Sequence, residues 1–209
     1  MRNKLPVNLP FGKIIYQTRS GHSITTDTEF IVRTVLEKYR KQSKKISVLE
    51  LGSGNGIISI MLSHYCPVWQ ITGIEIQSHY VCLSKENAKL ADVETTSIEA
   101  DLKQYTSKNK FNLIVSNPPY FPKNKGIISP DIKRAISRHE ILCTMEDVLN
   151  SVKRNLKTQG KAYLLYPEIR FNDIIQFAKK VDLKVTEKFI LNASKNKNKI
   201  LVEIVHAED

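Results

Sequence analysis

The chain has 209 residues, 41% of them hydrophobic, so it can bury the core of one domain. Its 32 lysines and arginines outnumber its 21 aspartates and glutamates, and the formal charge of +11 favours a polyanionic partner such as nucleic acid. Three widely spaced cysteines argue against a disulfide framework or a zinc site, and no apolar run approaches the roughly 18 residues that a membrane span requires.

Residues 1–45 are predicted to form a short N-terminal helical extension. Its first residues, MRNKLPVNLPFGK, contain no apolar core typical of a signal peptide, so we expect a cytoplasmic protein. A short lead-in is followed by an amphipathic helix over residues 27–41. We place the boundary with a single larger domain, residues 46–209, just before the first strongly apolar run.

From residue 46 onward, short apolar runs alternate with segments of helical periodicity. The predicted strands cover residues 46–51, 69–76, 93–100, 111–116, 160–166, 183–190 and 199–206. The predicted helices cover residues 56–65, 78–91, 145–157 and 168–180, and a capping box at Thr144 and Asp147 opens the third. This alternation predicts an α/β fold with a doubly wound, mostly parallel sheet of seven strands. Only a turn separates the last two strands, so we expect a C-terminal antiparallel pair at the sheet edge.

A glycine-rich turn follows the first core strand. Gly52, Gly54 and Gly56 alternate in ELGSGNG, directly before a predicted helix. Glycines permit tight turning and close approach of a ligand to the backbone, and the helix N-terminus offers free amides. The spacing G-x-G-x-G differs from the G-x-G-x-x-G of dinucleotide dehydrogenases, and an acidic residue, Glu50, precedes it.

Two further acidic residues follow the next two strands. Glu75 ends the second strand, where a carboxylate can accept hydrogen bonds from both hydroxyls of a ribose. Asp101 follows the third strand and can accept a hydrogen bond from the amino edge of an adenine. A solvated surface explains each acid alone equally well. Together they indicate a site, because open α/β sheets bind ligands at the C-terminal ends of their strands.

The stretch SNPPYF, residues 116–121, ends the fourth strand abruptly. Neither proline can continue a strand, because each lacks an amide proton and fixes its own φ. Asn117, Tyr120 and Phe121 are therefore predicted to lie on a stiff loop at the C-terminal edge of the sheet. Taken alone, this pattern favours a rigid turn slightly over a functional site.

Four segments together resemble the class I S-adenosylmethionine-dependent methyltransferases, namely ELGSGNG, GIEI, EADL and NPPY. Three segments more narrowly resemble the bacterial family that methylates N6 of the adenine 3′ of the anticodon, position 37, in a valine tRNA. They are ITTDTEFIV, SNPPYF and RAISRHEILCTMEDVL, residues 24–32, 116–121 and 134–149. Ser137 departs from the alanine usual in that family. The resemblance implies a Rossmann-like fold, with residues 46–209 as the catalytic domain.

The resemblance also implies S-adenosylmethionine as the cofactor, tRNA as the substrate and no metal. In that family pattern, the Asn117 side-chain oxygen and the Pro118 carbonyl accept hydrogen bonds from the adenine amine, Pro119 stiffens the loop and Tyr120 stacks on the base. The predicted cofactor-binding residues are Glu50, Gly52, Ser53, Gly54, Gly56, Glu75, Ile76, Asp101, Leu102 and Asn117.

Basic residues after the NPPY segment are candidates for contact with RNA. They are Lys123, Lys125, Lys133, Arg134 and Arg138, and ordinary solvated charge is the alternative explanation. For His139, a structural role explains the residue better than an RNA contact. Thr26 and Asp27 border the cofactor if the match over residues 24–32 holds, and an N-cap explains them equally well. The basic run SKNKNK, residues 194–199, is interpreted as a solvated hairpin tip.

Several alternative functions stay open. A release-factor glutamine methyltransferase fits the NPPY segment, although such enzymes usually carry a substantial N-terminal helical domain and only 45 residues precede the first core strand. A ribosomal RNA N-methyltransferase is a further alternative, whereas DNA adenine methylases typically add a recognition domain. The glycine spacing speaks against a nicotinamide dehydrogenase. A non-catalytic RNA-binding module would need no cofactor. We expect a monomer.

Overall fold

The computed structural model describes residues 4–18, 26–39, 44–118, 143–192 and 198–209. Strands β1 to β9 span Lys4–Asn8, Ile14–Thr18, Ser47–Leu51, Gln70–Glu75, Thr96–Glu99, Phe111–Ser116, Leu156–Pro167, Leu183–Leu191 and Lys199–His206. Helices α1 to α5 span Thr26–Tyr39, Ile57–Tyr65, Ser78–Ala91, Met145–Asn155 and Phe171–Lys180, and a 3-10 turn covers Glu168–Arg170. No helix within these described ranges is long and apolar enough to cross a membrane.

Seven of the strands form one sheet in the order β5-β4-β3-β6-β7-β9-β8. Strands β3 to β7 pair in parallel, while β9 is antiparallel to both β7 and β8. The predicted doubly wound, mostly parallel sheet with a C-terminal antiparallel pair is confirmed. The chain builds outward from β3 to β5 and then returns to β6, so the topological switch point lies between β3 and β6.

The central strands are buried on both faces of the sheet. In β3, Val48 packs in the cluster formed with α1, α2 and α3, whereas Leu49 and Leu51 pack in the opposite cluster with α4 and α5. All three side chains are fully buried. This two-sided burial explains why β3 is a nearly continuous apolar run in the sequence.

Helix α4 begins at the predicted capping box. The Thr144 hydroxyl accepts a hydrogen bond from the Asp147 amide at 3.2 Å, and the Asp147 carboxylate accepts one from the Thr144 amide at 2.8 Å. Val148, Leu149 and Val152 then form its buried face. The prediction of this helix start is confirmed.

The end of α4 differs from the prediction. The helix ends at Asn155 and β7 begins at Leu156, whereas the sequence predicted a helix to residue 157 and a strand from residue 160. The buried Asn155 side chain accepts from the Ser107 amide and donates to the carbonyls of Tyr105 and Ser151. These contacts with a distant loop fix the helix end, and local periodicity carries no signal of them.

The segment before α1 contains an unpredicted antiparallel hairpin, β1 and β2. Its turn is closed by a hydrogen bond of 3.0 Å from the Gly12 amide to the Leu9 carbonyl, and Gly12 has a φ of 81°. Proline at residue 10 and glycine at residue 12 are the usual signals of such a turn. Leu9 and Ile15 are buried in the same cluster as α1 and α2. The lead-in is therefore part of the core, and the boundary at residue 46 stays a proposal.

Candidate functional site

The predicted site residues of β3 and β6 lie side by side at the switch point. Leu51 pairs in register with Ser116, and the Ser116 hydroxyl donates to the Leu51 carbonyl at 2.7 Å. Gly52 directly follows Leu51, and Asn117 directly follows Ser116, so the two segments leave the sheet from neighbouring strands. Neighbouring strands of a sheet lie about 4.8 Å apart. The Ser53 amide donates to the Ile74 carbonyl at 2.9 Å, which brings the end of β4 to the same place.

The glycine turn adopts backbone angles that favour glycine. Gly52, Gly54 and Gly56 have φ angles of 68°, 52° and 81°. At Gly52 and Gly54, apart from the glycine itself and its two chain neighbours, no atom of the described residues lies within 4 Å of the position that a Cβ would occupy. This face of the turn therefore leaves space for a ligand to approach the backbone. A Cβ at Gly56 would lie 2.1 Å from the Ser84 hydroxyl, so here glycine is required by packing on α3.

Glu75 orders the turn from the end of β4. One carboxylate oxygen accepts from the Gly54 amide and the other from the Gln77 amide, each at 3.0 Å. These bonds fix the orientation of the carboxylate, and each oxygen keeps a further lone pair for a hydroxyl donor. Ile76 beside it is partly exposed and presents an apolar surface. This arrangement fits a ribose with an adjoining adenine, and contact with that ligand stays a prediction.

Glu50 lies beneath the turn. Its side chain is only 2% exposed, and one carboxylate oxygen accepts from both the amide, at 3.0 Å, and the hydroxyl of Ser59. Ser59 lies in the first turn of α2, whose N-cap, Gly56, has no side chain, so Glu50 caps this helix from the neighbouring strand. Burial raises the pKa of Glu50 to about 8, although the hydrogen bonds from Ser59 oppose the shift. The predicted cofactor contact of Glu50 stays a prediction.

Asp101 and Leu102 follow β5 on the far side of β4. The Ala100 amide donates to the Glu75 carbonyl at 3.0 Å, which brings this segment beside Glu75. The Asp101 carboxylate accepts from the Lys103 amide at 2.9 Å, and the Arg154 guanidinium donates to the Leu102 carbonyl at 2.7 Å. These bonds order the loop, and the Asp101 side chain stays partly exposed, so it can accept a hydrogen bond from an adenine amine.

The NPPY segment begins where β6 ends. Ser116 and Pro118 are buried, and Asn117 between them is half-buried. The predicted residues Pro119, Tyr120, Lys123, Lys125, Lys133, Arg134, Arg138 and His139 lie outside the described residues. The structure therefore brings together the predicted residues of β3, β4, β5 and β6, and the roles assigned to them stay predictions.

The sequence analysis missed three polar residues that support the turn, namely Ser59, Ser84 and Asn87. All three are almost fully buried. Ser84 and Asn87 are three residues apart on α3, so they lie on the same helix face. Two polar residues on the buried face of a helix were the available signal. Among the described residues, no group of three or more His, Cys, Asp or Glu side chains is arranged to hold a metal ion.

A doubly wound sheet, a glycine turn at its switch point and a fixed carboxylate on the next strand together define a class I S-adenosylmethionine-dependent methyltransferase. The chain belongs to the methyltransferase small domain family, whose profile matches residues 20–168. The predicted enzyme class and its cofactor, S-adenosylmethionine, are thereby confirmed.

Relatives with assigned names extend this result. A tRNA1(Val) (adenine(37)-N6)-methyltransferase of Aeromonas hydrophila is 30% identical over 162 residues, which cover 75% of this chain and 67% of the relative. A release factor glutamine methyltransferase of Flavobacterium psychrophilum is 25% identical over 187 residues, which cover 84% of this chain and 66% of the relative. Several relatives with the former name are matched over 51–77% of their own length. The predicted resemblance to that tRNA methyltransferase family is confirmed.

Solved structures share the fold. A protein of Listeria monocytogenes assigned to the class I S-adenosylmethionine-dependent methyltransferases matches with a TM-score of 0.65 at 18% identity. The match covers 90% of this chain and 64% of that chain. At this identity the likeness concerns the fold alone, which agrees with the observed strand order.

Proposed function

We propose that the protein transfers a methyl group from S-adenosylmethionine to N6 of an adenine in tRNA, namely the anticodon-loop adenine of a valine tRNA. The observation that carries the proposal is the position of Asn117 and Pro118 directly beside the glycine turn, at the switch point of the sheet. The names of the tRNA methyltransferase relatives and the net charge of +11 support an RNA substrate.

The residues of the NPPY segment prepare the adenine amine. Its lone pair is delocalised into the ring, which makes the amine a weak nucleophile. The side-chain oxygen of Asn117 and the carbonyl of Pro118 accept hydrogen bonds from its two N–H groups and favour a pyramidal nitrogen whose lone pair faces the methyl donor. The same oxygens stabilise the positive charge that develops on the nitrogen. Pro119 stiffens the loop, and Tyr120 stacks on a base that has left its own stack.

The cofactor occupies the edge formed by β3, β4 and β5. When bound, S-adenosylmethionine supplies a methyl group on a positively charged sulfur. The carboxylate of Glu75 accepts hydrogen bonds from the ribose hydroxyls, and Asp101 accepts one from the adenine amine of the cofactor. The open face at Gly52 and Gly54 admits the ligand next to the backbone. Glu50 positions the turn through Ser59.

The RNA contacts are assigned to the basic segment after NPPY. Lys123, Lys125, Lys133, Arg134 and Arg138 supply positive charge next to the catalytic segment in the sequence. Phosphate contacts of this kind make RNA affinity fall steeply as the salt concentration rises. The protein acts as a monomer in the cytoplasm, where its tRNA substrate is found.

Incubation with total tRNA and methyl-labelled S-adenosylmethionine tests the proposal. Digestion to nucleosides and mass spectrometry should find labelled N6-methyladenosine, and fractionation should find it in a single tRNA species. Labelled methylguanosine, or label distributed over all tRNA species, would contradict the proposal. The tRNA must come from cells that lack the corresponding gene, since otherwise the target adenine is already methylated.

A second candidate is methylation of a release-factor glutamine. The release factor glutamine methyltransferase relatives favour it, and the planar amide of glutamine suits the same pair of acceptors. The same labelled cofactor, incubated with purified release factor in place of tRNA, distinguishes the two. Label in the protein and none in tRNA would select this second function.

Asn117→Ala should separate chemistry from cofactor binding. Removing one of the two acceptors should lower kcat by about 10²–10³, as found for single donors or acceptors aimed at developing charge. The Kd for S-adenosylmethionine, measured by calorimetry, should stay within about threefold. Asn150→Ala, the same chemical change at a half-buried position of α4, is the matched control and should keep kcat. An active Asn117→Ala enzyme would remove Asn117 from the catalytic role.

A further inference from the structure

We propose that Asn87 of α3 is a positioning residue that couples the N-terminal hairpin to the cofactor-binding turn. The inference rests on the cofactor site of the proposed function and is independent of which substrate receives the methyl group. The hairpin, residues 4–18, precedes residue 20, where the family match begins. The coupling therefore joins an element outside the family match to the site that defines the family.

The Asn87 side chain bridges the two elements directly. Its amide oxygen accepts from the Tyr16 amide at 2.8 Å, and its amide nitrogen donates to the Tyr16 carbonyl at 2.8 Å and to the Asn55 carbonyl at 3.0 Å. Asn87 is fully buried. Both N–H groups of the side-chain amide and one lone pair of its oxygen therefore take part in hydrogen bonds. Two of these three bonds go to β2 and one goes to the glycine turn.

The turn depends on such a contact because of its own sequence. Asn55 lies between Gly54 and Gly56, and both glycines have positive φ. Glycine populates several backbone regions at little cost, so this segment has many alternatives to the conformation that leaves Gly52 and Gly54 open. The hydrogen bond from Asn87 selects one of them. Glu75 fixes the Gly54 amide from the other side of the turn.

Neighbouring residues of α3 show that the hairpin and the turn share one supporting surface. The Tyr80 hydroxyl lies 3.2 Å from the Thr18 hydroxyl, and Glu86 forms an ion pair with Lys4. Ser84 packs against Gly56. Asn87 is the residue on this surface whose side chain bonds to both elements. A shift of the hairpin can therefore reach the turn directly through the hydrogen bonds of Asn87.

Coupling of this kind is reciprocal. If the docked hairpin favours the binding conformation of the turn, bound cofactor must favour the docked hairpin by the same factor. Loss of Asn87 leaves the Tyr16 amide and two backbone carbonyls without their partner, so both elements loosen together. The observable consequence is a link between S-adenosylmethionine affinity and amide protection in β2.

Asn87→Leu tests the proposal, because leucine has a similar size and makes none of the three hydrogen bonds. Calorimetric titration with S-adenosylmethionine should give at least a tenfold higher Kd, whereas kcat at saturating cofactor should stay within threefold. Hydrogen exchange at residues 14–18 should be faster than in the unmodified protein. A role confined to protein stability would not produce this separation of Kd from kcat.

Tyr80→Phe is the matched control, since it removes a hydrogen bond between the same helix and the hairpin. It should leave the Kd within twofold. An Asn87→Leu protein with loosened β2 and a Kd within twofold of normal would overturn the proposal, because Asn87 would then only dock the hairpin.

A measurement on the unmodified protein keeps the proposal testable if Asn87→Leu does not fold. Addition of S-adenosylmethionine should slow hydrogen exchange at residues 14–18, and unchanged exchange there would overturn the coupling. Failure of the proposed function is distinguishable from this result. An unmodified protein that binds no S-adenosylmethionine contradicts the methyltransferase itself, whereas normal binding without a response in β2 contradicts only the role of Asn87.

Discussion

Two carboxylates in the sheet, Glu50 of β3 and Glu203 of β9, are equally buried at 2% exposure but have different partners. Glu203 accepts hydrogen bonds from Lys161 at 2.9 Å, from Thr186 at 2.8 Å and from the Tyr163 hydroxyl. Burial acts to raise its pKa, but these hydrogen bonds and the charge of Lys161 outweigh it and hold the pKa below its usual value. Burial likewise raises the pKa of Tyr163, and its bond to Glu203 adds to the shift.

Glu50 has no such compensation among the described residues, since both of its hydrogen bonds come from the neutral Ser59. Its pKa is raised to about 8 by burial. The half of the sheet around Glu203 therefore compensates its buried charge, whereas Glu50 beneath the glycine turn has no cationic partner among the described residues. Such local conflicts with stability are typical of functional sites.

The largest effect is expected from Glu203→Ala. The buried Tyr163 hydroxyl loses its acceptor and Lys161 loses its partner, so we expect a loss of about 3 kcal/mol in the free energy of unfolding, at the lower end of values for broken buried pairs because Lys161 still reaches solvent. Urea denaturation measures it. Glu208→Ala, at an exposed position of the same C-terminal segment, is the control and should change stability by less than about 0.5 kcal/mol.

A Glu203→Ala protein with nearly normal stability would contradict this difference between the two carboxylates. It would mean that the hydrogen bonds around Glu203 only offset its own desolvation. At 25 °C the folded fraction should still methylate its substrate, since no described contact of Glu203 involves the glycine turn.

The contrast also indicates what the sequence can predict. Glycine spacing and the position of Glu75 after an apolar run are local signals. The structure brings Glu75 into contact with the glycine turn, and the ligand contacts of both stay predictions. The contact of Glu203 with Tyr163 depends on β9 lying between β7 and β8, an arrangement set by tertiary packing rather than by local pattern. Ser59 and Asn87 support the turn through contacts between segments distant in sequence. The hairpin was missed because its core residues are few and its strands are short.

Glu50→Gln tests the buried carboxyl group of β3 through the pH dependence of protein stability. The folded-state pKa of about 8 lies above the unfolded value, so the folded protein binds a proton that the unfolded chain releases. The contribution of Glu50 to stability is therefore fully present below the unfolded pKa and is lost as the pH rises through about 8. Glutamine does not titrate. Between about pH 5 and pH 9, we expect the free energy of unfolding of the variant to rise by on the order of a few kcal/mol relative to that of the unmodified protein. Its Tm should rise relative to the unmodified protein over the same pH range.

Thermal unfolding at a series of pH values provides the measurement. Glu208→Gln, at an exposed position, is the matched control, and its Tm difference from the unmodified protein should stay constant. A constant difference for Glu50→Gln as well would mean that the buried carboxyl group is compensated after all. The distinction between the two halves of the sheet would then be lost.

The smallest effect is expected from a pair of glycine substitutions, which compares the cofactor edge with the hairpin. Gly12 and Gly56 both have a φ of 81°. A Cβ at Gly12 would meet no atom of the described residues within 4 Å beyond Gly12 itself and its chain neighbours, whereas at Gly56 it would meet the Ser84 hydroxyl at 2.1 Å. Alanine in the left-handed region costs about 1–2 kcal/mol at either position. Gly56→Ala alone must also displace Ser84, so it should unfold at a lower Tm than Gly12→Ala and raise the Kd for S-adenosylmethionine at least fivefold.

Calorimetric titration and thermal unfolding of both variants separate backbone strain from crowding. Adding Ser84→Ala to Gly56→Ala removes the Ser84 hydroxyl and should restore part of the affinity for S-adenosylmethionine. The double variant also loses the hydrogen bond of 2.9 Å between the hydroxyls of Ser84 and Ser97. Equal Tm and equal Kd for the two glycine variants would show that strain dominates and that α3 does not constrain the turn. Weaker cofactor binding in Gly56→Ala only, partly reversed in the double variant, would instead establish α3 as the support of the cofactor edge, with Ser84 and Asn87 acting on the same turn from one helix face.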